Sequence, residues 1–152
     1  MASSPDSPSP IFERYPNLRR DGYEQTSDPT PDDGPSPKYN CVAFALGETD
    51  RVVSHAPGDY WPAKSRLGLL RELVEVFGHH GFEPCKPDEL TPGSVALYAR
   101  NDFWKHAARK TDDGKWTSKL GVDGEDIAHA TPECVLTDGY GGVCCFMRPK
   151  TA

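Results

Sequence analysis

The sequence predicts an α+β fold in which helices come first and a meandering antiparallel sheet follows. In the first half, apolar residues recur with helical spacing. In the second half, short β-rich runs alternate with turn residues. Helices and strands that segregate along a chain are typical of the α+β class. The length of 152 residues suits a single domain.

Residues 1–38 are predicted to be a disordered, Pro- and Ser-rich arm and linker. Residues 1–10 are mostly Ser, Pro and Asp, and a second turn-rich stretch covers 27–38. Such segments bury too little apolar surface to offset the entropy of ordering them. The more apolar stretch IFERYPNL between them is expected to pack on the domain as an arm. The folded α+β domain is therefore predicted to span 39–152.

Two helices are predicted at the start of this domain. Asn40 is a residue type that caps helix N-termini, and the apolar run CVAFAL after it ends at Gly47. The clearest helix lies within SRLGLLRELVEVFGHHG, where Leu70, Val74 and Phe77 recur at i, i+4 and i+7. These helices are expected to pack on the sheet formed by the second half.

The strands of that sheet are predicted from a change of period after the second helix. The segment DGEDIAHATPECVL is predicted to be a loop with a short helix, and TDDG a hairpin turn. The four predicted strands are GSVALYA (93–99), HAARK (106–110), KWTSKLG (115–121) and GVCCFMRP (142–149).

Charge and composition exclude several classes of partner. The formal net charge is -6, and Lys and Arg are scattered, which argues against nucleic acid and anionic membrane as partners. No stretch approaches the roughly 20 apolar residues of a membrane span. The N-terminus lacks a charged leader and an apolar h-region, which predicts a cytoplasmic protein and leaves leaderless export open. Five cysteines without a CxxC pair indicate free thiols.

Cys41 is the first candidate for chemistry because it falls in the first turn of the predicted helix. Free backbone N–H groups and the positive end of the helix dipole favour a thiolate there. A thiolate is a nucleophile, and the same N–H groups can hold an oxyanion. The alternative is a small core residue, because cysteine is among the most buried residue types.

A cysteine nucleophile needs a base, and His106 is the best-placed histidine. It opens a strand next to two alanines, and such a strand is a rigid platform that another element can approach closely. The alternative is an exposed histidine at a strand end. His129 could orient a neighbouring side chain or satisfy a loop backbone. His79 and His80 follow a helix and suit cationic caps of its C-terminus.

No cofactor or metal is predicted. Cys85 with His79 and His80 could bind zinc, but no second ligand pair accompanies them. No glycine-rich phosphate loop is present in the sequence.

The order of these parts resembles the papain-like cysteine hydrolases of the NlpC peptidase and CHAP amidase kind. The segment TPGSVALYARNDFWKHAARKTDDGKW has their layout of an apolar strand followed by a strand that begins with histidine. The resemblance implies a papain-like fold, with Cys41 as the nucleophile and His106 as the base. Two positions depart from those families, Ser94 where an acid is usual and Asn40 before the cysteine. The chain also looks like a family of small stand-alone bacterial proteins, which implies a fold rather than an activity.

The resemblance also implies a third polar residue on the next strand, which orients the histidine. That position falls on Ser118, a weaker orienter than His, Asn or Asp because its hydrogen bond is neutral. Lys119 would disfavour an imidazolium nearby, and His129 or Asp126 could substitute for the serine. A three-residue turn places Ser118 on the face of His106, and a two-residue turn places it on the other face.

Two functions follow from these observations. The first is a thiol hydrolase, a peptidase, amidase or deamidase, that acts on an amide of a peptide or protein substrate. By resemblance, a cell-wall peptide is one such substrate. The second is a non-enzymatic protein-binding module of the immunity or adaptor type on the same scaffold. The acidic charge and the aromatic positions Tyr60, Trp61, Phe103 and Trp104 suit that second function.

Overall fold

The structure is a computed structural model, and it describes residues 15–27, 39–120, 126–137 and 140–150. Its helices are short. Two 3-10 turns lie at Pro87–Glu89 and Pro132–Val135. The α-helices of the described residues are α1 (Pro16–Asp21), α2 (Cys41–Ala45) and α3 (Leu70–His79).

Seven strands form one sheet, in which every pairing is antiparallel. The strands of the described residues are β1 (Glu24–Ser27), β2 (Phe82–Cys85), β3 (Val95–Arg100), β4 (Phe103–Lys110), β5 (Trp116–Lys119), β6 (Asp126–His129) and β7 (Gly142–Pro149). Their order across the sheet is β1-β6-β5-β4-β3-β7-β2. The chain is therefore a mixed helical and antiparallel-sheet protein, and most of its regular structure is sheet. Among the described residues, no helix has the length and apolarity needed to cross a membrane.

The sheet separates two buried clusters, because successive residues of a strand face opposite sides. Val95 and Leu97 of β3 face one cluster, while Ala96 and Tyr98 face the other. The helix-side cluster comprises Cys41, Val42, Ala43, Ala45, Val53, Trp61, Leu73, Val76, Phe77, Val95, Leu97, Ala107 and Met147. The arm-side cluster comprises Tyr15, Leu18, Ala96, Tyr98, Ala108, Trp116, Leu120, Ile127, Cys134 and Val135.

The N-terminal arm departs from its predicted disorder at residues 15–27. This stretch forms α1 and β1, and β1 pairs with β6 at one edge of the sheet. Pro16 suits the first helical position because its fixed φ is already helical. Tyr15 and Leu18 belong to the stretch IFERYPNL, which was expected to pack on the domain, and both are buried in the arm-side cluster. The rest of the predicted arm and linker, 1–14 and 28–38, lies outside the described residues.

Two strands of the central region differ from expectation. β6 lies where a loop was predicted, and β2 occupies FEPC, for which no strand was predicted. Both have only four residues, and neither shows a clear alternation of apolar and polar residues. β2 is a strand because it pairs with the longer β7, and β6 is a strand because it pairs with β1 on one side and β5 on the other. By contrast, β7 has the predicted bounds, Gly142–Pro149.

Candidate functional site

Asn40 anchors the start of α2 at the candidate site. Its Oδ1 accepts a hydrogen bond from Ala43 N–H at 3.2 Å, which confirms the predicted N-cap. The same side chain forms two hydrogen bonds with the backbone of Val53, at 3.1 Å to the N–H and 2.8 Å to the carbonyl oxygen. Asn40 therefore caps α2 and also fixes the position of Cys41 relative to the following loop.

Cys41 is buried where α2 packs against β4 and β5. Burial raises the pKa of its thiol to about 11, although backbone N–H groups of Ala107, Val42 and Cys41 act in the opposite direction. The predicted lowering of this pKa is thus wrong for the resting structure, since desolvation outweighs the N–H groups. At neutral pH Cys41 is a neutral thiol. Its contact with the backbone N–H of Ala107 places it against the residue that follows His106.

A side-chain hydrogen bond of His106 joins β4 to β5 beyond the backbone hydrogen bonds of the two strands. The two strands pair at Arg109–Thr117 and Lys110–Trp116, and Thr111 N–H donates to the carbonyl oxygen of Lys115 at 2.8 Å, so residues 112–114 form a three-residue turn. Beyond that ladder, His106 Nε2 and Ser118 Oγ are hydrogen-bonded at 3.0 Å. Ser118 therefore lies on the face of His106, as predicted for a three-residue turn.

The hydrogen bonds continue from Ser118 to a second imidazole. Ser118 Oγ lies 2.8 Å from His129 Nε2, and His129 Nδ1 lies 2.7 Å from the carbonyl oxygen of Thr131. We call this chain the His106–Ser118–His129 relay. The sequence offered Ser118 and His129 as alternatives, whereas the structure has them in series. All three side chains are buried.

The last acceptor determines the direction of every hydrogen bond in the relay. A carbonyl oxygen only accepts, so His129 carries its proton on Nδ1 and its Nε2 is an acceptor. The Ser118 hydroxyl must then donate to His129 Nε2 and accept from His106 Nε2–H. His106 is consequently the Nε2–H tautomer, and its Nδ1 carries a free lone pair.

That lone pair is the unusual feature of the site. His106 Nδ1 is buried and has no hydrogen-bond partner among the described residues. Buried polar atoms almost always have partners, so an orphaned one calls for an explanation. Burial, reinforced by the neighbouring His129, holds the pKa of His106 well below its usual range, and burial likewise lowers the pKa of His129. Both imidazoles are therefore neutral at pH 7, and Nδ1 of His106 is a proton acceptor.

Two aromatic rings enclose the His106 imidazole. Tyr140 stacks on it with a centroid distance of 4.3 Å and an interplanar angle of 7°. Tyr98 meets it edge-on, with centroids 4.9 Å apart. The rings exclude water from both the imidazole and its hydrogen bond to Ser118.

The structure thus brings His106, Ser118 and His129 together through hydrogen bonds on the arm-side face of the sheet, where His106 pairs with Tyr98 and His129 with Trp116. Cys41 lies in the helix-side cluster, on the opposite face of the sheet. Cys41 and His106 are not hydrogen-bonded to each other in this resting arrangement. Asp126, the other candidate third residue, instead accepts a 2.6 Å hydrogen bond from Tyr39 and lies 3.8 Å from the Lys119 ammonium. The catalytic roles of the four residues stay predictions.

Sequence reasoning missed a second buried polar centre at Glu72, on the buried face of α3. Its carboxylate accepts hydrogen bonds from the indole of Trp61 at 3.3 Å and the hydroxyl of Ser65 at 3.0 Å. It also accepts from the backbone N–H groups of Leu67 at 3.0 Å and Gly68 at 3.1 Å. Burial alone would raise the pKa of this carboxyl, but these hydrogen bonds leave it below its ordinary value.

A sequence signal for Glu72 was present. Within the helical period, Glu72 precedes Leu73 and lies four residues before Val76, so it falls on the apolar face of the helix. A charged residue on that face requires partners, and the polar segment before the helix supplies them. Among the described residues, no cluster of three or more His, Cys, Asp or Glu side chains is arranged to hold a metal ion.

Fold and site together define the class of this molecule: a small mixed helical and antiparallel-sheet protein with a buried helix-start thiol on one face of the sheet and a histidine–serine–histidine relay on the other. The chain belongs to the family described as Domain of unknown function (DUF7689), whose model matches residues 31–148. That range contains Cys41 and the whole relay, and it begins after α1 and β1. No curated protein and no solved structure matches the chain.

Proposed function

We propose that this chain is a non-enzymatic protein-binding module of the immunity or adaptor type. The second candidate is a thiol hydrolase of papain-like architecture that cleaves an amide bond, with Cys41 as the nucleophile and His106 as the base. The observation that sets their order is that Cys41 lies in the helix-side cluster, while His106 pairs with Tyr98 on the arm-side face of the sheet. A general base must lie within hydrogen-bond reach of the proton that it takes, and the sheet separates the thiol from His106 Nδ1, which has no partner among the described residues.

The hydrolase candidate requires an acyl-enzyme. The Cys41 sulfur attacks the carbonyl carbon, and the thiol proton goes to the leaving amine as the carbon–nitrogen bond breaks. Water then hydrolyses the thioester, its hydroxyl going to the acyl group and its proton restoring the thiol. For His106 Nδ1 to carry these protons, the thiol and the imidazole must first come to one face of the sheet, which requires a rearrangement of α2 or β4.

Ser118 and His129 are positioning residues in the hydrolase candidate. The Ser118 hydroxyl accepts from Nε2–H of His106 throughout the cycle, so it fixes the ring with Nδ1 available. His129, held by Thr131, fixes the direction of the hydroxyl. Because His129 fixes the direction of the Ser118 hydroxyl, the oxygen stays turned toward Nε2–H of His106. This offsets the weakness of serine as a neutral orienting residue, and the sequence alone did not reveal it.

The substrate proposed for the hydrolase candidate is a peptide or protein amide, either a main-chain or isopeptide bond, for example of a cell-wall peptide, or a side-chain amide. The formal net charge of -6 supports a partner that is neither a nucleic acid nor an anionic membrane. Acyl transfer to another amine would use the same thioester. The proposal includes a cytoplasmic site of action and requires no cofactor.

The protein-binding module is favoured by one surface. Leu67 and Phe103 are the large apolar side chains most exposed among the described residues, at 60% and 45%. They lie on adjoining segments, since Leu69 bridges Phe103 and Trp104 N–H donates to the carbonyl oxygen of Gly68 at 3.0 Å. Glu72 fixes the Leu67 segment from below, so this surface is preorganised.

Site-resolved labelling separates the two functions. The hydrolase candidate predicts that a peptidyl acyloxymethyl ketone, which requires an activated thiol, labels Cys41 of the native protein. Cys134, also buried, serves as the internal control and should stay unlabelled. The His106→Gln variant should lose labelling at Cys41 while its unfolding transition is retained. If Cys41 reacts only after denaturation, or reacts equally without His106, the hydrolase proposal fails and the binding module stands.

A further inference from the structure

Arg109, near the end of β4, places its guanidinium beside two glycines. Arg109 lies on the helix-side face of the sheet, because it is two residues from Ala107 and pairs with Val95. A Cβ atom on Gly47 would lie 2.9 Å from Nη1 of the guanidinium, and one on Gly93 would lie 3.9 Å from Nη2. The two glycines have φ angles of 84° and 90°, a left-handed conformation that suits glycine. The guanidinium therefore lies close to both backbones, in space that side chains would otherwise fill.

This guanidinium has no acceptor among the residues that the structure describes, since none of their ion pairs or side-chain hydrogen bonds involves it. Arg148 of β7 is similarly half-buried, but its guanidinium lies 2.9 Å from Glu83 and 3.4 Å from Glu89. Arg66 donates to two backbone carbonyl oxygens. A partly desolvated cation without acceptors costs free energy, and a ligand that supplies acceptors would recover it.

A cavity of about 360 Å³ adjoins Arg109, at the lower end of the sizes that hold small molecules. Its lining carries two cations, Arg109 and Lys110, against one carboxylate, Asp112. Phe44 contributes apolar surface, and Thr49 contributes a hydroxyl that forms no hydrogen bond within the described part of the chain. The cavity thus combines positive charge, hydrogen-bond donors and an apolar wall.

The donor geometry of this lining suits an oxyanion. A guanidinium is planar and permanently charged, and its paired N–H groups match two oxygens of a carboxylate or a phosphate. The ammonium of Lys110 adds positive charge without a fixed geometry. The apolar surface of Phe44 suits a carbon skeleton attached to the oxyanion.

We propose that Arg109 and this cavity bind the oxyanion group, a carboxylate or a phosphate, of a small molecule. The site goes beyond the proposed function and is independent of it. Phe103, on the proposed protein-binding surface, begins β4, whereas Arg109 lies near the other end of that strand. Cys41 is not part of the lining either.

An NMR titration of ¹⁵N-labelled protein tests this site with three probes. Benzoate carries a carboxylate on an apolar ring, benzamide is its neutral counterpart, and inorganic phosphate is the second oxyanion. The amides of Gly47 and Gly93 report on the cavity, and Gly142, which pairs with Ala99 toward the other end of β3, is the distant reference. We expect saturable shifts at Gly47 and Gly93 with benzoate, with phosphate or with both, and none with benzamide. A response to only one anion identifies which of the two oxyanions the site takes.

Substitutions of Arg109 decide whether its guanidinium is responsible. Arg109→Gln should weaken binding roughly tenfold or more, the effect of losing a charged hydrogen bond. Arg109→Lys keeps the charge but loses the paired N–H groups, so its affinity should be intermediate. Arg71→Gln, at an exposed position of α3, is the matched control for net charge and should bind as wild type does.

Three results would overturn the oxyanion site. The first is the absence of saturation by either anion up to roughly 10 mM, a range that covers weak specific binding. The second is an equal response to benzamide, which would indicate an apolar groove only. The third is wild-type affinity in Arg109→Gln. Should that variant not fold, wild-type affinity in Arg109→Lys would overturn the site in its place.

Discussion

The two buried polar centres of this protein, Glu72 and the His106–Ser118–His129 relay, differ in how completely they are satisfied. Glu72 accepts hydrogen bonds from four neighbouring residues. The relay is equally buried, yet it ends in a nitrogen without a partner. A complete network stabilises the fold, whereas an incomplete one costs free energy and is retained where the free atom has a use. This contrast favours a structural role for Glu72 and makes His106 a candidate functional residue.

The largest expected effect comes from removing Glu72. Glu72→Ala leaves buried donors of Trp61, Leu67 and Gly68 without an acceptor, so we expect a loss of about 3 kcal/mol in the free energy of unfolding. Urea denaturation monitored by tryptophan fluorescence measures it. Glu72→Gln, which keeps one acceptor oxygen, is the matched control and should lose less. A loss below about 1 kcal/mol for the alanine variant would mean that the network contributes little.

Breaking the relay should have a smaller effect on stability and a specific effect on the imidazoles. Ser118→Ala leaves Nε2 of both histidines without a partner, and we expect a loss of about 2 kcal/mol. The ¹⁵N chemical shifts of His106 should also show a mixture of tautomers. Thr117→Ala is the neighbouring control, because its hydroxyl bonds to the Arg109 carbonyl oxygen outside the relay. Unchanged tautomers in Ser118→Ala would contradict the proposed role of the serine.

Mild acid should destabilise the protein through the relay. The pKa values of His106 and His129 are lower in the folded state than their ordinary 6.5, so the unfolded chain binds more protons between those values. Stability is therefore fully present above pH 6.5 and is lost as pH falls through the folded pKa values. Each histidine contributes a slope of at most about 1.4 kcal/mol per pH unit.

Urea denaturation at a series of pH values between 7 and 5 measures this slope. We expect His106→Gln to show a shallower dependence than wild type. His79→Gln, at the exposed end of α3, should keep the wild-type dependence. Stability that stays constant as the pH falls would contradict the buried, neutral relay.

The smallest expected effect on stability is that of Cys41→Ala, about 1 kcal/mol, because only one buried sulfur is lost. The same substitution should abolish labelling by the ketone and leave the His106 tautomer unchanged. Calorimetry and ¹⁵N shifts measure these two outcomes. A large loss of stability would indicate that Cys41 is chiefly a core residue, which would weaken the hydrolase proposal.

The local sequence predicted α2, α3 and β7, because residue type and spacing within each of these elements determine its conformation. Asn40 caps α2 as its residue type predicts, the period of Leu70, Val74 and Phe77 identified α3, and β7 has its predicted bounds. The weak strands β1, β2 and β6 were missed because their conformation comes from partners distant in sequence. The candidate residues Cys41, His106, Ser118 and His129 were chosen by residue type, position and resemblance. Their mutual contacts were not predictable, because the register of the hairpin was open.

What the sequence determined by itself is the class of fold, the helix-start position of Cys41 and the set of side chains able to do acid–base chemistry. Short-range spacing and residue type control those features. Only the tertiary structure decided that Ser118 and His129 are hydrogen-bonded in series, that burial raises the pKa of the thiol, and that Tyr15 of the arm is hydrogen-bonded to Tyr140, which stacks on the imidazole. Those outcomes depend on desolvation and on hydrogen bonds between residues far apart in the chain, and such long-range contacts leave no local signature.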